Sequence, residues 1–448
     1  MHGTEAAVST VIFGLDPMWF ATILFLLTYI IVMTERINRA IVALAAAGLM
    51  IIGGVINQEQ ALAGVDFNTL GLLTGMMVIV GVTRQSGVFQ YLAIWSAKKV
   101  QARPWGIMVM LSLVTAILSA LLDNVTTVLL IVPVTLLITE ELKVPSYPFL
   151  FAIIMSSNIG GTATLIGDPP NIMIGSATGL TFNDFVINLA PVAIVVMLAT
   201  LVPIYLIWGR KLKAADTDRQ RVMSFNEREA ITDSRLLIQS LMVIGLVVLG
   251  FVLAHPLGLE AATVAMFGAA VLLLIHNFGR DAEEQSKGVH HAFSEVEWVT
   301  IFFFLGLFIV VHGLDSTGLL NWLATKILEL TGGELQATAM VILWSSAVLS
   351  AVVDNIPFVA TMIPLIKSMA PTFGGTEQLL PLWWSLALGA CLGGNGTLVG
   401  ASANLVVAGF AERAGQPIRF VRFTLMAFPL MLMSIAICSV YVYFRYLS

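Results

Sequence analysis

Charged residues are scarce in this sequence. Only 11% of the 448 residues are Asp, Glu, Lys or Arg, whereas a soluble globular domain carries about 25%. Hydrophobic residues make up 58% of the chain, and the mean hydropathy is +0.93. This composition leaves very little chain for a soluble domain, so we predict a polytopic membrane protein with the lipid bilayer as its surroundings and no nucleic-acid partner.

Cysteines and enzyme motifs are nearly absent as well. Cys391 and Cys438 are the two cysteines, and both lie in apolar segments, which gives neither a disulfide framework nor a cysteine cluster for a metal. The sequence contains no HExxH, P-loop, GxSxG or CxxC motif, the usual signatures of metalloproteases, nucleotide hydrolases, serine hydrolases and thiol oxidoreductases. We therefore predict that the protein is not an enzyme and has no cofactor and no metal site.

What the chain has instead is a series of apolar segments that approach the ~20 residues needed to cross a bilayer. We assign ten crossings, at 11–33, 39–56, 68–83, 148–177, 185–208, 236–254, 260–276, 297–313, 382–411 and 421–446. The fourth and ninth are interrupted. Between the third and fourth crossings of each half lies one more apolar stretch, 105–139 and 337–369, which is long enough to enter the membrane and turn back.

The basic residues predict the orientation of these crossings. With the N-terminus outside, only Lys326, Lys367 and Arg445 face outward, and the other 19 of the 22 Lys and Arg residues face the cytoplasm. Such segregation follows the positive-inside rule. We therefore predict a multi-pass protein of a bacterial cytoplasmic (inner) membrane with both termini on the outer side.

The two halves of the chain resemble each other. Residues "LSALLDNVTTVLLIVPV" from Leu118 match "LSAVVDNIPFVATMIPL" from Leu349, at an offset of 231. At an offset of 233, "NIGGTATLIGDPPNIMI" (158–174) matches "CLGGNGTLVGASANLVV" (391–407). The shared positions are Asp, Asn, Gly and Pro, which an apolar composition does not generate by chance.

This repeat predicts the fold class, an all-α membrane protein with two inverted repeats. We assign 1–208 to the first repeat, 209–235 to a polar cytoplasmic linker and 236–448 to the second repeat. Five crossings per repeat is an odd number, so the second repeat runs through the membrane upside down. Inverted repeats with discontinuous helices are typical of secondary transporters, whose substrate site lies near the membrane midplane.

The helix breaks and the hairpin tips are the predicted site. Adjacent glycines weaken "NIGGTATLIGDPPN", and Pro169–Pro170 remove backbone donors, so each interrupted crossing should split into two half-helices. Asp and Asn favour turns and helix N-caps, which places the hairpin tips at Asp123–Asn124 and Asp354–Asn355. Capping accounts for part of each pair, but an ionisable residue inside a membrane segment is also a functional candidate.

The predicted substrate- and proton-binding residues are the polar and glycine positions of these tips and breaks. They are Asp123, Asn124, Thr126, Thr127, Asn158, Gly160, Gly161, Thr162, Thr164, Asp168, Asn171, Asp354, Asn355, Gly394, Asn395, Thr397, Ser402 and Asn404. No Lys or Arg lies within these motifs, so we expect a site without a fixed cation, suited to a cation, a proton or a neutral hydroxylated molecule. Asp123 and Asp354 are the candidates for proton coupling, because burial disfavours a charged carboxylate.

These motifs carry a family resemblance. "LLDNVTTVLLIVPVT" with "NIGGTATLIGDPPNIMIG", and "VVDNIPFVATMIPLI" with "GGNGTLVGASANLVV", resemble the ArsB/NhaD branch of the ion transporter superfamily, including the ArsB-type arsenite permeases and the P protein group. The resemblance implies an elevator-type transporter in which a transport domain, 105–177 and 337–413, slides against a scaffold of the remaining helices. The chain departs from the Ser-Asn-Thr tips of divalent anion/sodium symporters, which counts against sodium-coupled dicarboxylate uptake.

The resemblance also implies a function. Proton-coupled efflux of arsenite or antimonite is the first expectation. The alternatives are Na⁺/H⁺ exchange and, third, citrate or dicarboxylate transport. The pocket of amides, hydroxyls and carboxylates suits the uncharged As(OH)₃ and also a hard cation, whereas an anion would need an arginine or strong helix dipoles. A cytoplasmic ATPase subunit and a homodimer are both compatible with the sequence.

Overall fold

The computed structural model describes residue 11, residues 14–34 and residues 36–448. The described residues form helices and connecting loops without β-strands. The α-helices of the first half are α1 Pro17–Met33, α2 Arg39–Ile52, α3 Gln58–Ala63, α4 Phe67–Arg84, α5 Val88–Lys99, α6 Pro104–Leu121, α7 Asn124–Glu141, α8 Tyr147–Thr162, α9 Pro169–Thr178, α10 Phe182–Ile204 and α11 Asp216–Met223. Those of the second half are α12 Ser234–Leu257, α13 Ala261–Asn277, α14 Ala282–Ser294, α15 Trp298–Ser316, α16 Leu319–Leu330, α17 Leu335–Val352, α18 Asn355–Lys367, α19 Ala370–Phe373, α20 Leu380–Gly393, α21 Ser402–Arg413 and α22 Phe420–Val442.

Many of these helices could cross a membrane. Among the described residues, eight helical segments have the length and apolar composition to span a bilayer, and four apolar helices (α1, α2, α13 and α18) are shorter. Every predicted crossing coincides with one of the helices or with a pair of half-helices. The predicted first crossing begins in a stretch that includes residues 12 and 13, which lie outside the described residues. The predicted polytopic all-α class is confirmed.

The internal repeat is visible in the helix boundaries. Helix α4 begins at Phe67 and α15 at Trp298, 231 residues later, and the same offset relates α5 to α16, α6 to α17 and the start of α7 to that of α18. Helices α8 and α9 precede α20 and α21 by 233 residues. The last long helix of each repeat ends in a five-residue π-helical turn, Tyr205–Gly209 and Tyr443–Leu447. The two repeats therefore have one fold.

Two helices, one in each repeat, were not predicted from the sequence. Hydropathy predicts no element between 83 and 105 or between 313 and 337, where the structure has α5 and α16. Both are only 12 residues long, which is shorter than a membrane crossing requires. Each begins after a glycine with positive φ, Gly87 at 80° and Gly318 at 79°, a conformation that glycine adopts without strain.

The helices pack in two kinds of pairs, within one repeat and across the two repeats. Helix α6 packs along α8 and α17 along α20, so each hairpin lies against the broken crossing of its own repeat. Helix α2 packs along α15 and α13 along α4, so these helices pair across the repeats. A Cβ on Gly306 would approach the backbone of Ala43 at 2.5 Å, and one on Gly75 the backbone of Ala265 at 2.7 Å. Glycine at these two positions lets each pair approach closely.

The predicted linker 209–235 has structure of its own and contacts the first repeat. It contains α11 and a 3₁₀ turn at Glu227–Ala230. Lys98 at the end of α5 pairs with Glu227 and donates to the carbonyl of Phe225 at 3.0 Å. Asp218 accepts ion pairs from Lys143 at 3.3 Å and Arg221 at 3.1 Å. The linker is therefore folded against α5 and the end of α7, a contact that the prediction of a solvated connector misses.

Candidate functional site

Both hairpins turn at their Asp–Asn pairs. The Asp123 carboxylate accepts a bond from the backbone N–H of Thr126 at 2.7 Å, and the Asp354 carboxylate accepts one from Ile356 at 3.2 Å. These are N-cap bonds, which satisfy donors that a helix start leaves free. Asp123 is 6% exposed. Each aspartate therefore begins the returning half-helix, α7 or α18, and its second carboxylate oxygen is available for other contacts.

The two broken crossings are built alike. Pro169 and Pro170 occupy the first positions of α9, where a helix needs no backbone donor. Asn171 donates its side-chain amide to the carbonyl of Thr164 at 2.9 Å, and its counterpart Asn404 donates to the carbonyl of Thr397 at 2.9 Å. The hydroxyl groups of Thr164 and Thr397 donate in turn to Ala120 and Ala351 of the adjoining hairpins. The asparagine side chains thus replace helical hydrogen bonds within each break.

The predicted site glycines are contact positions between backbones. A Cβ on Gly160 would lie 2.2 Å from the carbonyl oxygen of Ala116 in α6. A Cβ on Gly161 would lie 2.6 Å from the carbonyl oxygen of Gly167, across the break, and one on Gly394 would lie 3.0 Å from that of Gly400. These glycines let the hairpin and the two half-helices approach each other, and they act on the site through packing.

Replacing Gly160 by alanine should destabilise the protein. The added methyl group would overlap backbone rather than a movable side chain, and overpacking of this kind costs about 1–3 kcal/mol. Thermal unfolding of purified protein in detergent measures the effect. Gly409→Ala in α21 is the matched control, because nothing lies within 4 Å of a Cβ there. Equal melting temperatures for the two variants would contradict this account.

One asparagine joins the two repeats. The Asn158 side chain, fully buried in α8, donates to Asn395 Oδ1 at 3.0 Å and to Asn404 Oδ1 at 2.9 Å, both in the second repeat. It accepts a bond from Asn124 Nδ2 of the first hairpin tip at 3.3 Å. The two breaks therefore meet, as predicted from the repeat, and Asn158 is the centre of their contact.

Asp168 breaks the symmetry of this arrangement. It is 0% exposed, and its side chain makes no capping bond to α9 although it occupies the N-cap position. Asn355 Nδ2, from the second hairpin tip, lies 3.3 and 3.4 Å from its two carboxylate oxygens. Among the described residues it forms no ion pair. The equivalent position of the second repeat is Ala401, so this buried acid occurs once.

A second difference lies nearby. Cys391 takes the place in the second repeat that Asn158 has in the first. Its thiol donates to Asn171 Oδ1 at 3.4 Å, which is the counterpart of the bond from Asn158 to Asn404. One repeat therefore contributes an amide to the centre, and the other contributes a thiol.

The expectation of a site without a fixed cation is wrong. Arg39, the first residue of α2, donates from Nη1 to Asp354 Oδ2 at 3.3 Å and to Ser402 Oγ at 2.6 Å. Its Nη2 donates to Thr300 Oγ1 at 3.0 Å, and its guanidinium lies 5.2 Å from the centre of the Phe303 ring. Arg39 is 315 positions away from Asp354, so the motifs around the tips do not reveal it.

Arg39, Phe303, Asp354 and Ser402 line a cavity of about 310 Å³. Helices α1, α2 and α15 form one wall, and the second hairpin tip and α21 form the other. Val125 from the first tip also lines the cavity. The charged and polar lining residues are Thr28, Tyr29, Asn38, Arg39, Glu297, Asp354 and Ser402. The side chains of Arg39 and Asp354 are 24% and 15% exposed. The cavity therefore brings solvent to the second hairpin tip on the side of Arg39, which the sequence predicts to be cytoplasmic.

The remaining predicted residues do not line this cavity. Thr127 and Thr162 are fully buried, and Thr162 donates its hydroxyl to the carbonyl of Asn158 at 2.7 Å. Of the eighteen predicted site residues, Asp354 and Ser402 line the cavity. The asparagines are bonded mainly to each other and to backbone. In this state the asparagines hold the tips and breaks together through these bonds. The surface of the cavity is mostly apolar.

Glu297 and Thr300 were missed by the prediction, although the repeat contains a signal for them. Thr300 donates to Glu297 Oε2 at 3.0 Å at the start of α15. The equivalent pair in the first repeat is Asp66 and Thr69, in which the hydroxyl of Thr69 also donates to the carboxylate. An acid followed three residues later by threonine, at both repeat positions, marks the start of a helix that borders the site.

The chain is similar to proteins with a transport description. A family model described as "CitMHS: Citrate transporter" matches residues 29–389. An uncharacterized transporter of Mycobacterium tuberculosis (strain H37Rv) is 44% identical over 95% of this chain and 98% of its own length. The P protein of Homo sapiens is 31% identical over 92% of this chain and 58% of its own length. The predicted likeness to the P protein group is confirmed.

Two solved structures share the fold. The YdaH transporter of Alcanivorax borkumensis has a TM-score of 0.57 and 16% identity, covering 96% of this chain and 98% of its own. The Neisseria gonorrhoeae protein MtrF, described with a class of antimetabolite efflux pumps, has a TM-score of 0.57 and 11% identity, covering 98% of this chain and 96% of its own. At these identities the likeness concerns the fold.

Proposed function

The chain belongs to the citrate transporter family, CitMHS, and from this premise we propose that it is a proton-coupled secondary transporter that exports a small uncharged hydroxylated solute, with arsenite and antimonite as the first candidates. Its place would be the bacterial inner membrane, with both termini outside. A cytoplasmic ATPase subunit and a homodimer are compatible with this proposal but are not needed for it.

The observation that carries the proposal is the buried acid Asp168. It lies at the helix break, touches the second hairpin tip through Asn355 and has no basic partner among the described residues. An uncompensated buried charge costs several kcal/mol. We therefore assign a proton to Asp168 in this state and give it the coupling role, ahead of the tip residues Asp123 and Asp354, which the sequence predicts for it. Asp354 already has Arg39 as a partner.

The surroundings of the tips suit a neutral solute. Asp354 and Glu297 line the cavity, Asp123 lies at the other tip, and Arg39 is the one basic residue among those described that line the cavity. An excess of carboxylates repels anions and leaves hydrogen bonds as the means to hold an uncharged solute such as As(OH)₃. The amide and hydroxyl groups behind the tips would supply these bonds once a conformational change exposes them.

Transport would follow an elevator movement. In this proposal the hairpins and broken crossings, 105–177 and 337–413, move as a transport domain against a scaffold of the remaining helices. The packing of each hairpin on its own broken crossing, and of α2 on α15 and α4 on α13 across the repeats, supports this division. The bonds from Asn158 to Asn395 and Asn404 would keep the two halves of the moving domain together.

Carboxylate transport is the second candidate, because two observations favour it. The matching family is described as a citrate transporter, and Arg39 supplies a guanidinium that binds carboxylates in a bidentate manner. A carboxylate substrate would then replace Asp354 as the partner of Arg39. Sodium exchange has support only from the oxygen-rich composition of the site.

Purified protein in proteoliposomes tests these functions. We expect an imposed pH gradient to drive accumulation of arsenite or antimonite, at a clamped membrane potential, without sodium. Citrate should not be accumulated under the same gradient, and sodium uptake should match that of liposomes without protein. Citrate accumulation without metalloid transport would replace the first candidate by the second, and pH-driven sodium movement alone would establish the exchanger.

A further inference from the structure

Arg39 links two groups of helices. Thr300 and Phe303, on α15, belong with α2 to the helices that pair across the repeats, whereas Asp354 and Ser402 lie on the second hairpin tip and at the start of α21. The guanidinium therefore bridges the proposed scaffold and the proposed transport domain. Its position at the first turn of α2 is unfavourable for a cation near a helix N-terminus, so the bridging partners compensate for its placement.

The equivalent bridge to the first hairpin tip is absent among the residues that the structure describes. The contacts of Ala43 with Gly306 and of Ala265 with Gly75 place α2 and α13 in equivalent positions, and α13 begins with Ala261 where α2 begins with Arg39. Asp123 is the equivalent of Asp354, but Pro169 takes the place of Ser402. The acid of the first hairpin tip, Asp123, thus lacks the counterparts of the arginine and the hydroxyl that Asp354 contacts.

This difference has a consequence for the two states of the transporter. Inverted repeats are related by a pseudo-two-fold axis in the membrane plane, so exchanging their conformations exchanges the side to which the site opens. In the exchanged state Asp123 would meet Ala261, and Arg39 would lose Asp354. The ion pair therefore stabilises one state and has no counterpart in the other.

We propose that Arg39 is a latch that holds the transporter in the described state, with the cavity open on the Arg39 side. The inference rests on the proposed alternating-access function but on none of its candidate substrates. Release of the latch requires that Asp354 leave the guanidinium when the second hairpin tip moves. Arg39 is thus a positioning residue that sets the balance between the two states.

The accessibility of a cysteine in the cavity tests the latch. Leu405 on α21 lines the cavity and is partly exposed, while Cys391 and Cys438 are both fully buried. A maleimide should therefore label Leu405→Cys selectively, in protein held in lipid nanodiscs. We expect Arg39→Gln in this background to slow labelling about tenfold, as when the equilibrium shifts from about 10:1 in favour of the described state to about 1:10. Arg39→Lys should slow labelling less.

Arg84→Gln is the matched control. Arg84 at the end of α4 pairs with Glu295 at 3.1 Å, so this variant also breaks an arginine–carboxylate pair, but one that does not reach the hairpins or broken crossings. We expect it to label at the wild-type rate. Equal rates for Arg39→Gln, Arg84→Gln and the parent protein would overturn the latch.

A gain-of-function variant covers the case in which Arg39→Gln fails to fold. Ala261→Arg would give Asp123 the partner that it lacks and should also slow labelling at Leu405→Cys, because it stabilises the opposite state. Unchanged labelling in folded Ala261→Arg protein would count against the latch. The readout needs no substrate, so a labelling shift in a protein that moves no metalloid would keep the latch and reject the proposed substrate. Metalloid transport by the parent protein, with labelling that is unchanged in the variants, would support the proposed substrate and reject the latch.

Discussion

The Asp168→Asn variant should lose pH-driven accumulation of its substrate while still exchanging substrate across the membrane. With one proton exchanged per neutral solute and the membrane potential clamped, each pH unit supports about tenfold accumulation, because 1.4 kcal/mol corresponds to a factor of ten. A gradient of two units should therefore give about hundredfold accumulation in the parent protein. Without a titratable group at 168, we expect no accumulation.

The structure indicates that Asp168→Asn removes the titratable group and changes little else. Asparagine has nearly the shape of aspartate, and its carbonyl oxygen would still accept the bond from Asn355. The side chain makes no capping bond that the change could weaken. Fold and substrate contacts should survive, so counterflow of labelled substrate without a pH gradient should continue near the parent rate.

Reconstituted protein with radioactive or mass-detected substrate gives both measurements. Asp184→Asn is the control, because Asp184 is an acid in the capping box of α10, away from the tips and breaks. It should accumulate substrate as the parent does. Accumulation by Asp168→Asn at the parent level would reject the coupling role of Asp168. Loss of accumulation in Asp123→Asn or Asp354→Asn alone would return that role to the tips.

The repeat made most of the fold predictable. Matching Asp, Asn, Gly and Pro at offsets of 231 and 233 placed the hairpin turns at Asp123 and Asp354, and the structure has helix starts at Asn124 and Asn355. Such residues mark turns and helix ends in an apolar chain, because each changes the backbone conformations or hydrogen bonds available. The 12-residue helices α5 and α16 were not predictable in this way, because hydropathy over a crossing-length window does not detect helices this short.

The contacts of the site were less predictable for a different reason. Arg39 is the first residue of the second predicted crossing, where the sequence gives it a topological role as one of the basic residues on the cytoplasmic side. Its contact with Asp354 depends on how α2 packs along α15 and where the second hairpin ends. No spacing within a motif encodes a contact between such distant segments, so the number of cations in the site could be read only from the assembled fold.

Differences between the repeats turned out to be as informative as their similarities. At the matching positions, Asn171 and Asn404 make the same hydrogen bonds within each break. The mismatched positions, Asp168 against Ala401 and Arg39 against Ala261, mark groups that occur once. Residues that occur in both repeats are needed for the fold that the repeats share. A residue found in one repeat alone is therefore a better candidate for proton coupling or for stabilising one of the two transport states.

Replacing Asn158 and replacing its equivalent Cys391 should have very different effects on stability. Asn158→Leu removes two donated bonds and one accepted bond, and leaves Asn395 Oδ1, Asn404 Oδ1 and Asn124 Nδ2 buried without these partners. Each orphaned buried group costs about 1–3 kcal/mol. Three together approach the ~5–15 kcal/mol that stabilises a typical folded protein. We expect little folded protein and no transport.

Cys391→Ala tests the same position in the other repeat. It removes one weak thiol bond to Asn171, whose amide still donates to the carbonyls of the break, so the loss should be about 1 kcal/mol. Size-exclusion profiles and thermal unfolding in detergent compare the two variants directly. If Asn158→Leu were as stable as Cys391→Ala, the amide contact between the breaks would not hold the repeats together. The moving domain would then need another source of rigidity, such as the packing of α8 against α20.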